Sequence, residues 1–163
     1  MGRFRQYLET VATQQLRIRH IDPENDWELA AQVERIARSS QVQITFVGGK
    51  DVSIVAYIDE GQELDDEYAS YQVVGGVADK VYNSEDGLTY DFDVVVDPRW
   101  QGIQNIGFQL INAAIAKAQS NECHLIRTHV VNKRLLPILV TRYGFDGWDD
   151  QRPTPTAILY KYL

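Results

Sequence analysis

The residues whose types and spacing could do chemistry are concentrated between Leu88 and Ala118. This stretch is a β-rich run, LTYDFDVVVDP, a polar turn, RWQGIQN, and an apolar-periodic segment, IGFQLINAAIAKA. The first ends at a proline and the last has a period near 3.6, which reads as strand, tight turn, helix. The first turn of a helix leaves backbone N–H groups without intrahelical partners, and the macrodipole adds partial positive charge, so phosphate oxygens bind well there. Gly102 and Gly107 lack a Cβ and would let a ligand approach the backbone closely. On the strand, Asp91 and Asp93 alternate with Tyr90, Phe92 and Val94, so one face is acidic and the other apolar. Two carboxylates on one face are either candidates for proton chemistry or the solvent-facing side of a half-buried strand.

Composition bounds what these residues can serve. At 163 residues the chain suits one domain, 1–163, with residues 1–15 as an N-terminal extension that Phe4, Leu8 and Val11 make helical by spacing. Hydrophobic content of 44% and charged content of 24% are those of a soluble globular protein, and no apolar run approaches the roughly 18 residues of a membrane span. The start, MGRFRQYLET, lacks the apolar core of a secretory signal, and Gln6 stands where a myristoylation motif wants Ser or Thr. A cytoplasmic location is the expectation. Cys123 is alone, so neither an internal disulfide nor a cysteine metal cluster can form, and a buried structural thiol is expected. No metal site is expected. A net charge of −7, from 23 acidic and 16 basic side chains, argues against nucleic acid and favours a cationic partner.

The remaining segments must position that stretch. Leu16 to Ile21 alternates as a strand does, Asp22 to Asp26 is a turn that can cap a helix, and Trp27, Leu29, Ala30, Val33, Ile36 and Ala37 mark one helical face ending near Ser39. Val42 to Val47 and Val52 to Ile58 read as strands around a Gly48-Gly49-Lys50-Asp51 turn, followed by an acidic loop, DEGQELDDEYAS. Tyr71 to Tyr82 is a strand in which Gly75-Gly76 marks a bulge or a close backbone approach. After the central helix, His124 to Val131 forms a buried strand, so a parallel crossover joins it to the acid-bearing strand. Asn132 can cap a helix carrying Leu135, Leu136, Leu139, Val140 and Tyr143, with Pro137 in its first turn and Gly144 as its stop. Phe145 to Trp148 and Thr156 to Leu163 form a closing hairpin.

Three signals in this order resemble the GNAT acyltransferases. They are the opening strand-turn-helix in IRHIDPENDW; V-x-P at Val96 to Pro98, an aromatic residue, Gln101-Gly102 and Asn105-Ile106-Gly107 opening a helix; and Asn132 followed by a helix that ends in Gly144-Phe145. The loop carries one extra residue, and Asn105 stands where the family's first G-x-G glycine would be. The resemblance covers residues 16 to 163 and implies an α+β fold, a mixed and largely antiparallel central sheet of about six or seven strands with helices on both faces.

It also implies a function. In this family the sheet splays open beside the fourth strand, and acetyl-CoA or another acyl-CoA lies in the slot. Carried over, the strand edge at Val94, Val95 and Val96 would hold pantetheine. Gln101, Gly102, Ile103, Gln104, Asn105, Ile106, Gly107 and Phe108 would take the diphosphate, and Asn132 would add a contact from beyond the partner strand. Transfer to an amine needs a proton acceptor, because an ammonium with a pKa near 10.4 is almost wholly protonated at pH 7. Asp93 and Asp91 are the candidates. The family's usual glutamate position falls nearer Tyr90, and its usual tyrosine, which protonates the departing thiolate, is replaced by Val140. Tyr143, three residues later, is the substitute donor. His129 is a further candidate base, with structural hydrogen bonding as its competing role. The expected activity is transfer of an acetyl group from acetyl-CoA to a primary amine on a small molecule or protein, with no nucleic acid or membrane partner and room for a homodimer. The alternative is a non-catalytic protein of the same fold that binds acyl-CoA or a protein partner.

Overall fold

A computed structural model describes residues 15–39, 49–59, 71–130, 135–147 and 157–163. The elements run β1 (Gln15–His20), α1 (Trp27–Ser39), β2 (Asp51–Asp59), β3 (Tyr71–Ser84), β4 (Gly87–Val96), a 3₁₀ turn (Pro98–Trp100), α2 (Ile106–Ser120), β5 (Leu125–Val130), α3 (Leu136–Tyr143) and β6 (Ala157–Tyr162). The six strands lie in sequence order in one sheet. All neighbours are antiparallel except β4 and β5, which α2 joins by a parallel crossover. The expected α+β architecture, a mixed sheet with helices on both faces, is what forms. The N-terminal helix, the strand over Val42 to Val47 and most of the acidic loop lie outside the described residues.

Alternation along β4 divides the interior into two cores. Tyr90 and Phe92 point to the side covered by α2 and α3, where Ile106, Leu110, Leu136, Leu139 and Phe145 are buried with them. Val95 points to the other side, where α1 seats Ala30, Val33, Ile36 and Ala37 over Val52, Val55, Val73 and Ala78. Asp91 and Asp93 share the α1 face with Val95. Trp27, expected on the inner face of α1, is 63% exposed, because that face begins at Leu29 and Ala30.

The β3 glycines are there for close approach. A Cβ on Gly75 would meet the Val95 carbonyl oxygen at 2.5 Å, and one on Gly76 would meet both methyls of Val33 and the Ile54 carbonyl oxygen at 2.8 Å. The ladder to β2 also shifts register beside them, between Ala56 and Tyr57, as expected of a bulge. Gly76→Ala should therefore push α1 off the sheet and destabilise the protein by about 1–3 kcal/mol. A urea melt measures this, and an unchanged midpoint would show that the helix is not seated there.

At the other end, Pro137 falls in the first turn of α3 and Gly144 closes it with φ +72°. The cap position is held by Leu135 rather than by Asn132, which lies outside the described residues. Phe145 is drawn inward, its N–H bonded to the Leu139 carbonyl at 3.1 Å. Of the expected strand from Phe145 to Trp148, Trp148 lies outside the described residues, and among the described ones the pairing is one bridge between Asp146 and Tyr160. Among the described residues no helix is long and apolar enough to cross a membrane.

Candidate active site

The pairing of β4 with β5 stops early. Its partners run from Thr89↔Leu125 to Phe92↔Thr128, yet β4 continues to Val96 and β5 to Val130. On its other edge β4 stays paired with β3 up to Gly75↔Val96. Beyond Phe92 the strands part, and the β5-facing backbone groups of residues 93–96 are left without that ladder. Val94 and Val96 are half-buried on the α2 side of this edge, and Val95 is buried under α1.

The turn after β4 explains how an irregular loop can still present amides. Asp97 caps the 3₁₀ turn by accepting from the Arg99 N–H at 3.0 Å, while its carboxylate receives the guanidinium at 2.8 Å, which holds its carboxyl below the usual range. Trp100 is buried in the larger core and anchors the turn. Gly102, Gln104 and Asn105 then adopt left-handed backbone at φ +77°, +53° and +53°. Asparagine tolerates this conformation better than most residues, which accounts for Asn105 where glycine was expected. The Asn105 side chain makes no capping hydrogen bond, so the first-turn amides at Ile106, Gly107 and Phe108 have no side-chain acceptor there. Gly107 faces the end of β4, where an added Cβ would meet only Val96 Cγ2 at 3.7 Å. Gln101 and Gly102 are exposed, Ile103 is half-buried against the core, and the Gln104 carbonyl accepts from the Gln109 side chain at 2.9 Å.

The acid pair is not solvent-facing. Both carboxylates are 3% exposed and straddle Lys50, whose side chain is 0% exposed: Nζ lies 3.1 Å from Asp91 Oδ1 and 3.0 Å from Asp93 Oδ2. Only the contact to Asp93 is aligned as a hydrogen bond. Burial pushes the Asp93 carboxyl up, and the hydrogen bond and charge of Lys50 oppose that. His129 joins from β5, its Nδ1 3.9 Å from Oδ1 of both acids. Arg127 approaches Asp91 Oδ2 at 3.9 Å and donates to the Tyr82 hydroxyl at 3.3 Å.

Tyr143 belongs to the opposite face. Its ring is stacked on Phe108 of α2, centroids 6.4 Å apart, with the Arg142 guanidinium 4.6 Å over the Phe108 ring. Partial burial raises its hydroxyl pKa, so it keeps its proton at neutral pH. Val140 is half-buried and packed on the core. Tyr90, near the usual glutamate position, turns away from the gap and bonds to Asp79, which also receives Lys117 at 2.8 Å. This network lies on the β3 side of β4, away from the β5 edge where the strands part.

A family model described as the acetyltransferase (GNAT) family matches residues 25–145. The chain belongs to the GNAT family. Solved GNAT-like structures overlay nearly the whole chain at low identity. An acetyltransferase of GNAT family from Streptococcus pneumoniae is 14% identical at TM-score 0.62, covering 91% of this chain and 100% of that one. NAA60 of Arabidopsis thaliana in complex with acetyl-CoA is 16% identical at 0.63, covering 91% and 99%. YncA of Salmonella typhimurium, a putative acetyltransferase with its cofactor acetyl-CoA, is 18% identical at 0.57, covering 90% and 93%. No curated protein matches the sequence.

Lys50 is the site residue that sequence reasoning missed. It reads locally as part of a glycine turn, and its partners lie 41 and 43 residues further on, so no spacing signals the contact. His129 carried a signal, its strand position, but nothing in the sequence showed that its ring faces the acids.

Proposed function

We propose that the protein is an acyl-CoA-dependent N-acyltransferase that moves an acetyl group from acetyl-CoA to a primary amine. The observation that carries this reading is the early end of the β4–β5 ladder at Phe92↔Thr128, beside a buried acid cluster and in line with an uncapped helix N-terminus. These residues fit the group. The free β4 edge at Val94, Val95 and Val96 offers amide and carbonyl groups to pantetheine. The turn from Gln101 to Phe108 offers backbone amides and a helix dipole to a diphosphate. Asn132, the remaining binding candidate, lies outside the described residues. Acyl-CoA, when bound, supplies the activated thioester.

The chain's own residues supply the rest. The net charge of −7 favours a cationic acceptor such as a primary ammonium or polyamine. Asp93 and Asp91, with His129 beside them, form the acid–base cluster through which the ammonium can lose its proton. Tyr143, which keeps its proton, can donate on the Phe108 side of the gap. A thiol with a pKa near 8.5 leaves readily without such help, so Tyr143→Phe should lower kcat/KM by less than about tenfold.

Val140 at the usual tyrosine position favours a second reading, a GNAT-fold protein that binds acyl-CoA without turning it over. Thiol release from acetyl-CoA, measured with small amines, polyamines and peptides, separates the two. Turnover with any of these amines supports the transferase. Tight CoA binding by calorimetry without turnover would move the assignment to the binding protein, and no binding would overturn both.

A further inference from the structure

Among the described residues, three buried side-chain nitrogen or oxygen atoms have no hydrogen-bond partner: Asp91 Oδ1, Asp93 Oδ1 and His129 Nδ1. They are not scattered defects, for Nδ1 lies 3.9 Å from both oxygens. The Lys50 ammonium at 3.1 Å compensates Asp91 Oδ1, which leaves Asp93 Oδ1 and His129 Nδ1. An unmatched buried polar atom costs about 1–3 kcal/mol, and a folded chain keeps two such atoms facing each other where the spot has a use. Lys50 holds the carboxylates from behind, and its hydrogen bond to Asp93 Oδ2 leaves Oδ1 turned to the histidine. His129 is the first residue of β5 past its last pairing with β4, so its ring stands where the strands part. Its side chain is 21% exposed against 3% for each acid, so of the histidine and the two acids it is the one that an incoming molecule can reach.

We infer that His129 takes the proton from the acceptor amine at Nε2, with its Nδ1–H directed at Asp91 and Asp93, an assignment that rests on the transferase reading. The two acids are then positioning residues. They fix the tautomer, leave the Nε2 lone pair free, and stabilise the imidazolium that forms. One N–H proton of the ammonium passes to Nε2. The electron pair left on nitrogen forms the C–N bond as the C–S bond breaks, and the second proton shed by nitrogen ends on the departing sulfur. His129 returns its own proton to solvent.

The charges around the ring set its working range. Burial and then the Lys50 ammonium push the imidazole below its ordinary value; Asp91 and Asp93 oppose this, and Arg127 on the same strand adds to it. The β6 residue opposite is Ile158, which carries no charge. The ring is therefore unprotonated at neutral pH and ready to accept.

Two readings test the inference. Long-range ¹H–¹⁵N spectra of the free protein should show the His129 proton on Nδ1 and titration below the ordinary 6.5. Asp93→Asn should move that titration lower still. In turnover assays, kcat/KM should rise with pH through the same value. His129→Gln should remove that limb and lower kcat/KM by about 10²–10⁴, with CoA affinity unchanged. A proton on Nε2, or a His129→Gln protein that keeps the limb and the rate, would overturn the role of His129 while leaving the transferase intact. A parent protein that turns over no amine would overturn the transferase reading itself, and this role with it.

Discussion

Lys50→Met should destabilise the protein by about 3–5 kcal/mol, because it strands two carboxylates in a site with 3% exposure and removes the cation between them. The methionine fills the same volume, so the loss reports charge rather than a cavity. The sign of its pH dependence follows from Asp93. Its folded pKa is already raised by burial and is held back by Lys50. Without the lysine it rises further. A carboxyl whose folded pKa exceeds its unfolded value favours the folded state at low pH, and that contribution is lost as pH rises through the folded value. The gap between Lys50→Met and the parent should accordingly be widest at neutral pH and narrow as the solution is acidified toward the ordinary carboxylate range. Adding Asp93→Asn to Lys50→Met removes one stranded charge and should recover part of the loss, a coupling that a double-mutant cycle on urea melts measures. A loss under about 1 kcal/mol, flat with pH, would mean that the triad is solvated and that burial does not govern these groups.

What was legible in the sequence, and what was not, divides by the range of the interaction. The alternation TYDFDV placed Asp91 and Asp93 on one face, and the structure keeps them there, because register along a strand with one apolar face is fixed locally. The helical spacing of Ala30, Val33, Ile36 and Ala37, the first-turn place of Pro137 and the stop at Gly144 are local as well, and all three hold. Burial of the acids was not legible. Alternation distinguishes two faces of a strand but does not say that α1 and Lys50 will cover the polar one. Nor could spacing show that Phe145, in a β-like run, would be claimed by the α3 terminus, or that Tyr90 would turn from the gap to Asp79. The irregular loop is the converse case. Its extra residue and Asn105 weaken the motif as text, yet left-handed backbone at Gln104 and Asn105 takes up the length, at a cost of about 1–3 kcal/mol each, and still delivers α2 with its first turn uncapped.

That first turn carries the last prediction, Gly107→Glu, which should abolish CoA binding while leaving the fold intact or slightly firmer. A Cβ at this position meets only Val96 Cγ2, at 3.7 Å, an ordinary contact. Replacing glycine within a helix stabilises by about 0.5–1 kcal/mol, and an anionic side chain in the first turn adds about 0.3–1 kcal/mol from the helix dipole. The same carboxylate is aimed at the amides proposed to receive the diphosphate. It competes for them, and it repels each nearby phosphate charge by about 4 kcal/mol at 4 Å in a surface-like dielectric, close to a thousandfold in Kd. Gly107→Ala should bind CoA as the parent does, and Gly107→Gln should fall between, which separates bulk from charge. Titration calorimetry with CoA, paired with thermal melts of all four proteins, reads both sides. Equal affinity in the parent and Gly107→Glu would take the α2 terminus out of the site, whereas a melt that drops for Gly107→Ala would show that this turn is packed more tightly than Val96 alone implies.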